Sequence, residues 1–128
     1  MSHAFPRLWV HAVLVTKFRR SLISSECEQA LYDFIRVQLE GMGCKVRIIH
    51  GVSDHIHCLF LLHYTKSIAE VMKQVKGSSS RYMNADVRME GKFKWQTGYG
   101  AFSVSHHSLD VVHRYIQNQK IRHGEGKG

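Results

Sequence analysis

Only three of the 128 residues are cysteine, and Cys27, Cys44 and Cys58 form no CxxC pair. An odd, scattered set excludes a disulfide framework and a cysteine-rich zinc site, and reads as buried thiols in a reducing compartment. Proline occurs once, at Pro6, and the chain shows neither a linker nor an internal repeat. Hydrophobic residues make up 44%, yet no run approaches the roughly 20 apolar residues that span a bilayer, so no membrane association is expected. The opening Met1-Ser2-His3-Ala4-Phe5-Pro6 has no basic segment leading into an apolar run. No signal peptide is expected there, and the expected location is the cytoplasm. Acidic residues are scarce too, with 10 Asp and Glu against 18 Lys and Arg, giving 18 − 10 = +8 and a pI near 9.7. The simplest partner for such an imbalance in a small domain is a polyanion, nucleic acid first.

What is present is one domain's worth of alternating strand and helix patterns over residues 1–128. Arg7 to Thr16 (RLWVHAVLVT) is rich in β-branched and aromatic residues and reads as a strand, with Lys17-Phe18-Arg19-Arg20 as its basic end. Ser25-x-x-Glu28 has the form of a capping box opening a helix, whose apolar positions run from Cys27 to Met42. Cys44 to Gly51 is a second strand and His55 to His63 (HIHCLFLLH) a third. The third is apolar on both faces, which predicts a central strand covered on both sides. Ser67-x-x-Glu70 opens a second helix with Ile68, Val71, Met72, Val75 and Tyr82 on its buried stripe. A fourth strand lies at Tyr99 to Ser105, and a third helix starts near Ser108. The order β-α-β-β-α-β-α matches an α+β, ferredoxin-like (RRM-like) split βαβ arrangement with a mostly antiparallel sheet and an added C-terminal helix.

Three groups of residues could carry chemistry. His55 and His57 alternate along a strand, so both imidazoles face one side and can grip one metal ion. With ten histidines in 128 residues, chance alone yields about one such pair, and two satisfied histidines at a strand end are an equal alternative. Tyr115 and Gln119 are four apart, on one helix face. A tyrosine beside a core stripe is by itself more often a packing residue. Lys76, Ser78, Ser79 and Arg81 place small hydroxyls between cations, a composition that suits phosphate oxygens, though a solvated helix end is the plainer reading. Lys17, Arg19 and Arg20 add positive surface, and Trp95, among Lys92 and Lys94, suits stacking on unpaired bases or a place in the core.

As an ordered set, WVHAVLVTKFRR, GVSDHIHCLF, KGSSSRYM, KWQTGYGAFSVS and VVHRYIQNQ resemble the single-tyrosine HUH transposases, the insertion-sequence 200/605 type and their domesticated repeat-associated relatives. The resemblance runs from about Trp9 to His123. It implies that His55-Ile56-His57 is the HUH motif, that Tyr115 is the nucleophile, and that Gln119 completes a divalent metal site. It implies single-stranded DNA as substrate, recognised through a hairpin near element ends, a homodimer, and a nucleoid-associated place in the cell. The His-rich stretch that follows the tyrosine helix in many relatives is here Lys120-Ile121-Arg122-His123, and His123 is given no role.

Under this resemblance the expected reaction is DNA transposition. A phenol is mostly protonated at neutral pH and therefore a weak nucleophile, and a phosphodiester repels an approaching anion. A metal ion eases the second problem. Magnesium prefers oxygen ligands, so two imidazoles lean the site toward manganese, with Mg2+ or Mn2+ both expected. A 5′-phosphotyrosine link retains the energy of the broken bond, so rejoining needs no nucleotide cofactor. The alternatives are a domesticated endonuclease acting on repeated palindromes, a metal-dependent hydrolase without a covalent step, and a non-catalytic RRM-like nucleic-acid-binding module. The last predicts aromatics at alternate central-strand positions, where this chain carries aliphatics and histidines.

Overall fold

The computed structural model describes residues 7–124. The segment Met1–Pro6, where no signal peptide is expected, and residues 125–128 lie outside the described residues. The strands are β1 (Leu8–Val15), β2 (Lys45–Val52), β3 (His55–Leu62) and β4 (Gly100–Val104); the helices are α1 (Glu28–Gly41), α2 (Ile68–Asn84), α3 (Leu109–Gln117) and α4 (Gln119–Arg122). The sheet order is β2-β3-β1-β4, with every neighbouring pair antiparallel. This is the expected split βαβ arrangement: β3 enters between β1 and β2, and β4 closes the far edge of β1.

The third strand is central, as its two apolar faces require, and His55 to Phe60 are all buried. On one side Ile56, Cys58 and Phe60 meet Val10, Ala12 and Leu14 of β1 under Leu31, Ile35 and Leu39 of α1 and Val71, Met72 and Val75 of α2. Each large side chain removed from water there contributes roughly 1.5–3 kcal/mol. On the other side a smaller cluster of Leu59, Leu109 and Ile116, flanked by Trp9, Ile48, Val104 and Val112, seats α3. The sheet is thus covered unequally, with a large core under α1 and α2 and a thinner one under the C-terminal helices.

Local signals were met at some positions and overridden at others. The second capping box forms in full: Glu70 N–H donates to Ser67 Oγ at 3.1 Å, and Ser67 N–H to Glu70 Oε1 at 2.7 Å. The first does not. Helix α1 starts at Glu28 behind Cys27, so Ser25 caps nothing. Tyr82 is not core either. It is 39% exposed and stacks on Phe34, the ring centroids 4.4 Å apart. Cys44 and Cys58 are buried free thiols and Cys27 is half-buried; burial pushes the Cys58 thiol up to about 12, which leaves it inert.

The β2–β3 hairpin holds one tight contact. A Cβ on Gly51 would stand 2.2 Å from the carbonyl oxygen of His55 and 2.6 Å from Cα of Ile56. Both obstacles are backbone, so relief needs the hairpin to open. Gly51→Ala is expected to cost about 1–3 kcal/mol, read as a lowered urea midpoint at unchanged slope; a midpoint equal to wild type would show that the hairpin yields freely.

Candidate active site

The face of the sheet beneath α3 and α4 carries a histidine cluster. His55 and His57 project from β3 on the side of Leu59, as alternation requires. His11 joins them from β1, through the pairing that sets Val13 opposite His57 and His11 opposite Leu59. The His11 and His57 rings lie 5.0 Å apart, and His11 Nε2 is 2.8 Å from His57 Nδ1. The His55 and His57 centroids are 5.2 Å apart.

Hydrogen bonds set which ring nitrogens face the centre. Asp54 Oδ1 lies 2.7 Å from His55 Nδ1. A carboxylate accepts, so Nδ1 carries the proton and the neutral ring keeps a lone pair at Nε2. Opposite stands Gln119 Oε1 at 3.4 Å. The Gln119 amide cannot turn its N–H₂ that way without losing the bond it donates to the Tyr115 carbonyl at 3.2 Å. Two acceptors therefore face each other. The His57 ring lies beside that of His55, and its Nε2 is buried with no hydrogen-bond partner, an acceptor when Nδ1–H donates to His11. Buried polar atoms are normally satisfied, and lone pairs facing one another at an unpartnered nitrogen are what a cation would satisfy. The donor set of two imidazoles and one amide oxygen fits a divalent metal. Among the described residues no three His, Cys, Asp or Glu side chains form a metal cluster, so a three-ligand site requires Gln119.

The C-terminal helices bring Tyr115 to this cluster. Arg47 on β2 pairs with Asp110 in the first turn of α3. Leu109 and Ile116 bury against Leu59. Lys120 then ties α4 down, with Nζ 2.7 Å from Glu28 Oε2 and 2.9 Å from the Gly51 carbonyl. Helix α3 ends at Gln117 and α4 begins at Gln119, so Tyr115 and Gln119 belong to two helices rather than the single one expected. They still share a face, and Gln119 is fully buried. Tyr115 is 39% exposed; its ring meets His57 edge-on at 5.7 Å, His11 at 6.2 Å, and the Arg122 guanidinium at 4.7 Å. His123, assigned no role from the sequence, lies 5.0 Å from His55, ring centre to ring centre.

The residues expected to touch DNA divide three ways. Lys17, Arg19 and Arg20 are exposed at the end of β1, and Arg19 reaches Asp54 at 3.5 Å. Arg81 is exposed on α2, in a groove between α1 and α2, across the sheet from the histidines. Ser78, Ser79 and Trp95 are buried. Ser78 Oγ donates to the Gln74 carbonyl at 2.7 Å, and Ser79 Oγ to that of Val75 at 2.6 Å. The Trp95 indole is buried in the larger core, edge-on to Phe93, and donates to Ser79 Oγ at 2.9 Å. Lys76 is also engaged, donating to the carbonyls of Gln96 and Gly98 at 2.9 and 2.8 Å. This segment of α2 anchors the loop before β4. The serine spacing alone could not separate an anchor from a phosphate site, because both use the same donors.

His11, which the sequence reading did not single out, and Arg122, which it counted only as positive surface, also lie at this cluster. The signal for His11 was present: it alternates with the core positions Val10 and Ala12, so it had to lie on the face opposite the large core. Only the β1–β3 register shows that His57 shares that place.

Three comparisons bear on identity. A family model described as transposase IS200 like matches residues 4–119. The ISDra2 transposase TnpA of Deinococcus radiodurans is 25% identical over 118 residues, covering 88% of this chain and 84% of its own. Among solved structures, the crystal structure of a protein from Deinococcus radiodurans R1 named as a transposase superposes with a TM-score of 0.74 at 25% identity, over 93% of this chain and 95% of that one. A REP-associated tyrosine transposase bound to a REP hairpin gives 0.72 at 15% identity, over 99% of this chain and 75% of that one, a likeness of fold.

Burial, followed by the neighbouring His11 and His55, lowers the His57 pKa from 6.5 to about 3, while the Gln119 amide pulls weakly the other way without closing a hydrogen bond to Nε2. The folded chain refuses a proton that the unfolded chain accepts. The associated stability is complete above pH 6.5 and drains as pH falls toward 3. In chelator-treated protein the thermal midpoint is expected to fall across that window, and less steeply in His57→Gln. Equal acid limbs in the two proteins would remove His57 as the cause.

Proposed function

The chain belongs to the IS200-like transposase family, whose members cut DNA and transfer strands, and on that premise we propose that it cleaves and rejoins single-stranded DNA through a covalent 5′-phosphotyrosine link on Tyr115. The observation that carries the reading is the Tyr115 ring packed edge-on against His57, whose unpartnered Nε2 shares this face of the sheet with His55 Nε2 and Gln119 Oε1. Those three atoms would hold a divalent ion, Mg2+ or Mn2+. When bound, the ion polarises the scissile phosphate and offsets its charge.

The chain's own residues supply the rest. Asp54 fixes the His55 tautomer and His11 orients the His57 ring, roles of the kind that commonly set ligand orientation. Helix α3 presents Tyr115 at the solvent boundary, where a strand can reach it. Arg122, lying over the ring, places positive charge beside the tyrosine that the phosphate would approach. Attack by that oxygen forms the O–P bond and releases a free 3′-OH; a second 3′-OH then reverses the step. The neighbouring structure bound to a REP hairpin supports a hairpin as the recognised form of DNA.

The whole chain, 1–128, is read as one catalytic domain with no nucleotide cofactor. A second copy of the chain is part of the proposal, and the open edge of β4, where Phe102 is 60% exposed, is the surface that supports it. No helix is long and apolar enough to cross a membrane among the described residues. Work on DNA would place the protein in the cytoplasm at the nucleoid.

Tyr115→Phe is expected to bind a hairpin oligonucleotide as wild type does and to form no covalent adduct on a denaturing gel; an adduct in that variant would overturn the nucleophile. His57→Ala is expected to lose cleavage with every divalent metal tried, and to weaken Mn2+ binding to the DNA-free protein at least tenfold by electron paramagnetic resonance. Unchanged Mn2+ affinity would remove His57 from the metal site.

A further inference from the structure

β1 leaves the sheet at Thr16 and enters a 3-10 turn, Lys17–Arg19. Two consecutive non-glycine residues there have left-handed backbone, Phe18 at φ 59° and Arg19 at φ 51°. An aromatic side chain rarely occupies that region, and it stays only where the surroundings over-determine it. Here they do. Thr16 N–H donates to the Asp54 carbonyl, Lys17 N–H to that of Lys94, and Arg19 N–H to that of Thr16, each at 2.9 Å. Thr16 Oγ1 donates to the Arg20 carbonyl at 2.7 Å. This bonded, strained turn leaves the Phe18 ring 75% exposed, so packing does not explain it.

The surroundings of the ring are cationic. Lys17 Nζ lies 5.4 Å and the Arg20 guanidinium 5.6 Å from its centroid. Those three residues line a notch of about 320 Å³ with Gly91, Lys92 and Lys94. Among the described residues Lys17, Arg20 and Lys94 make no ion pair; Lys92 pairs with Glu90 at 3.4 Å, exposed, and the other nearby carboxylate, Asp54, faces Arg19 and His55. Two cations therefore flank the outward ring and two more line the same notch.

We infer that this notch binds one unpaired nucleotide of single-stranded DNA, the base stacking on Phe18 and the flanking phosphates meeting Lys17, Arg20, Lys92 and Lys94. A free phosphate would use the cations and leave the ring without a purpose, and an apolar ligand would do the reverse. A nucleotide within a strand uses both. Lys17 and Arg20 are long and exposed, so they can swing from the ring to a phosphate when a base arrives. The place suits the reaction, because Arg19 touches Asp54 and Asp54 orients His55. A strand held here lies beside the histidine face. The inference rests on single-stranded DNA being the substrate.

The test is equilibrium binding of the full chain to an oligo(dT) of about 12 nucleotides with one central 2-aminopurine, in chelator so that nothing is cut. Wild type is expected to quench the probe on binding. Phe18→Ala is expected to bind about 5- to 100-fold more weakly and to lose the quench, with an unchanged melting temperature, while Phe18→Trp keeps both. Lys94→Ala is expected to keep the quench and to lower the slope of log K against log salt by about 0.7. Wild-type affinity and quench in Phe18→Ala, or no quench by wild type, would overturn the notch. The two readings fail separately: absence of any covalent adduct sinks the tyrosine chemistry and leaves this binding result intact, whereas normal adduct formation beside an unchanged Phe18→Ala removes only the notch.

Discussion

The antiparallel pairing of β1 with β3 is the constraint on which the rest depends. It runs from Leu8 opposite Leu62 to Val15 opposite His55 without a shift. Because side chains alternate, this register sorts every residue of both strands onto one of two faces. Val10, Ala12, Leu14, Ile56, Cys58 and Phe60 go to the large core. His11, His55 and His57 go to the other. A slip of one residue would exchange the sets, exposing the aliphatics and burying the imidazoles under α1 and α2. The burial that stabilises the domain and the assembly of the histidine face are thus one event. The same pairing delivers the Lys17–Arg20 turn beside Asp54, since β1 ends where β3 begins.

The second requirement is a helix pair lying on the thinner face without filling it. Leu109 and Ile116 supply the apolar contact, and Arg47 with Asp110 and Lys120 with Glu28 fasten the two ends. Ion pairs of this kind contribute little net stability where they are exposed. They do restrict where the helices can lie. Between the fastenings the chain leaves Gln119 buried and Tyr115 partly exposed.

Electrostatics then distinguish the two halves of that face. The histidine centre is largely buried, and that burial favours the neutral form of the His11 and His57 imidazoles. Neutral rings donate lone pairs, which a cation can use and a proton would block. Positive charge is kept outside, on Arg122 above the tyrosine and on the Lys17–Arg20 turn with Lys92 and Lys94. Positive charge thus lies at the rim, around neutral rings whose lone pairs are free.

Much of this was legible in the residues. Alternation in HIHCLFLLH fixed a doubly covered central strand and put both histidines on one side, and Ser67 with Glu70 marked the start of α2, because these are local consequences of a period or a cap. Spacing also aligned Tyr115 with Gln119, although the helix breaks at Asn118 between them. Other signals were equally local and misleading. Ser25 and Glu28 have the form of a cap that the chain does not use; Ser78 and Ser79 have the form of a phosphate contact, yet their hydroxyls bond the α2 backbone, and the Trp95 indole bonds Ser79. Whether a hydroxyl or an indole faces water or core depends on what packs over it, and residues far apart in the chain decide that. For the same reason His11, His123 and Arg122 could not be assigned from the sequence: each acquires its place through a strand register or a helix docking. Residue types and periods by themselves determined the elements and which groups share a face, whereas only the tertiary structure decided which faces meet, because meeting is settled by long-range pairing and burial rather than by neighbours along the chain.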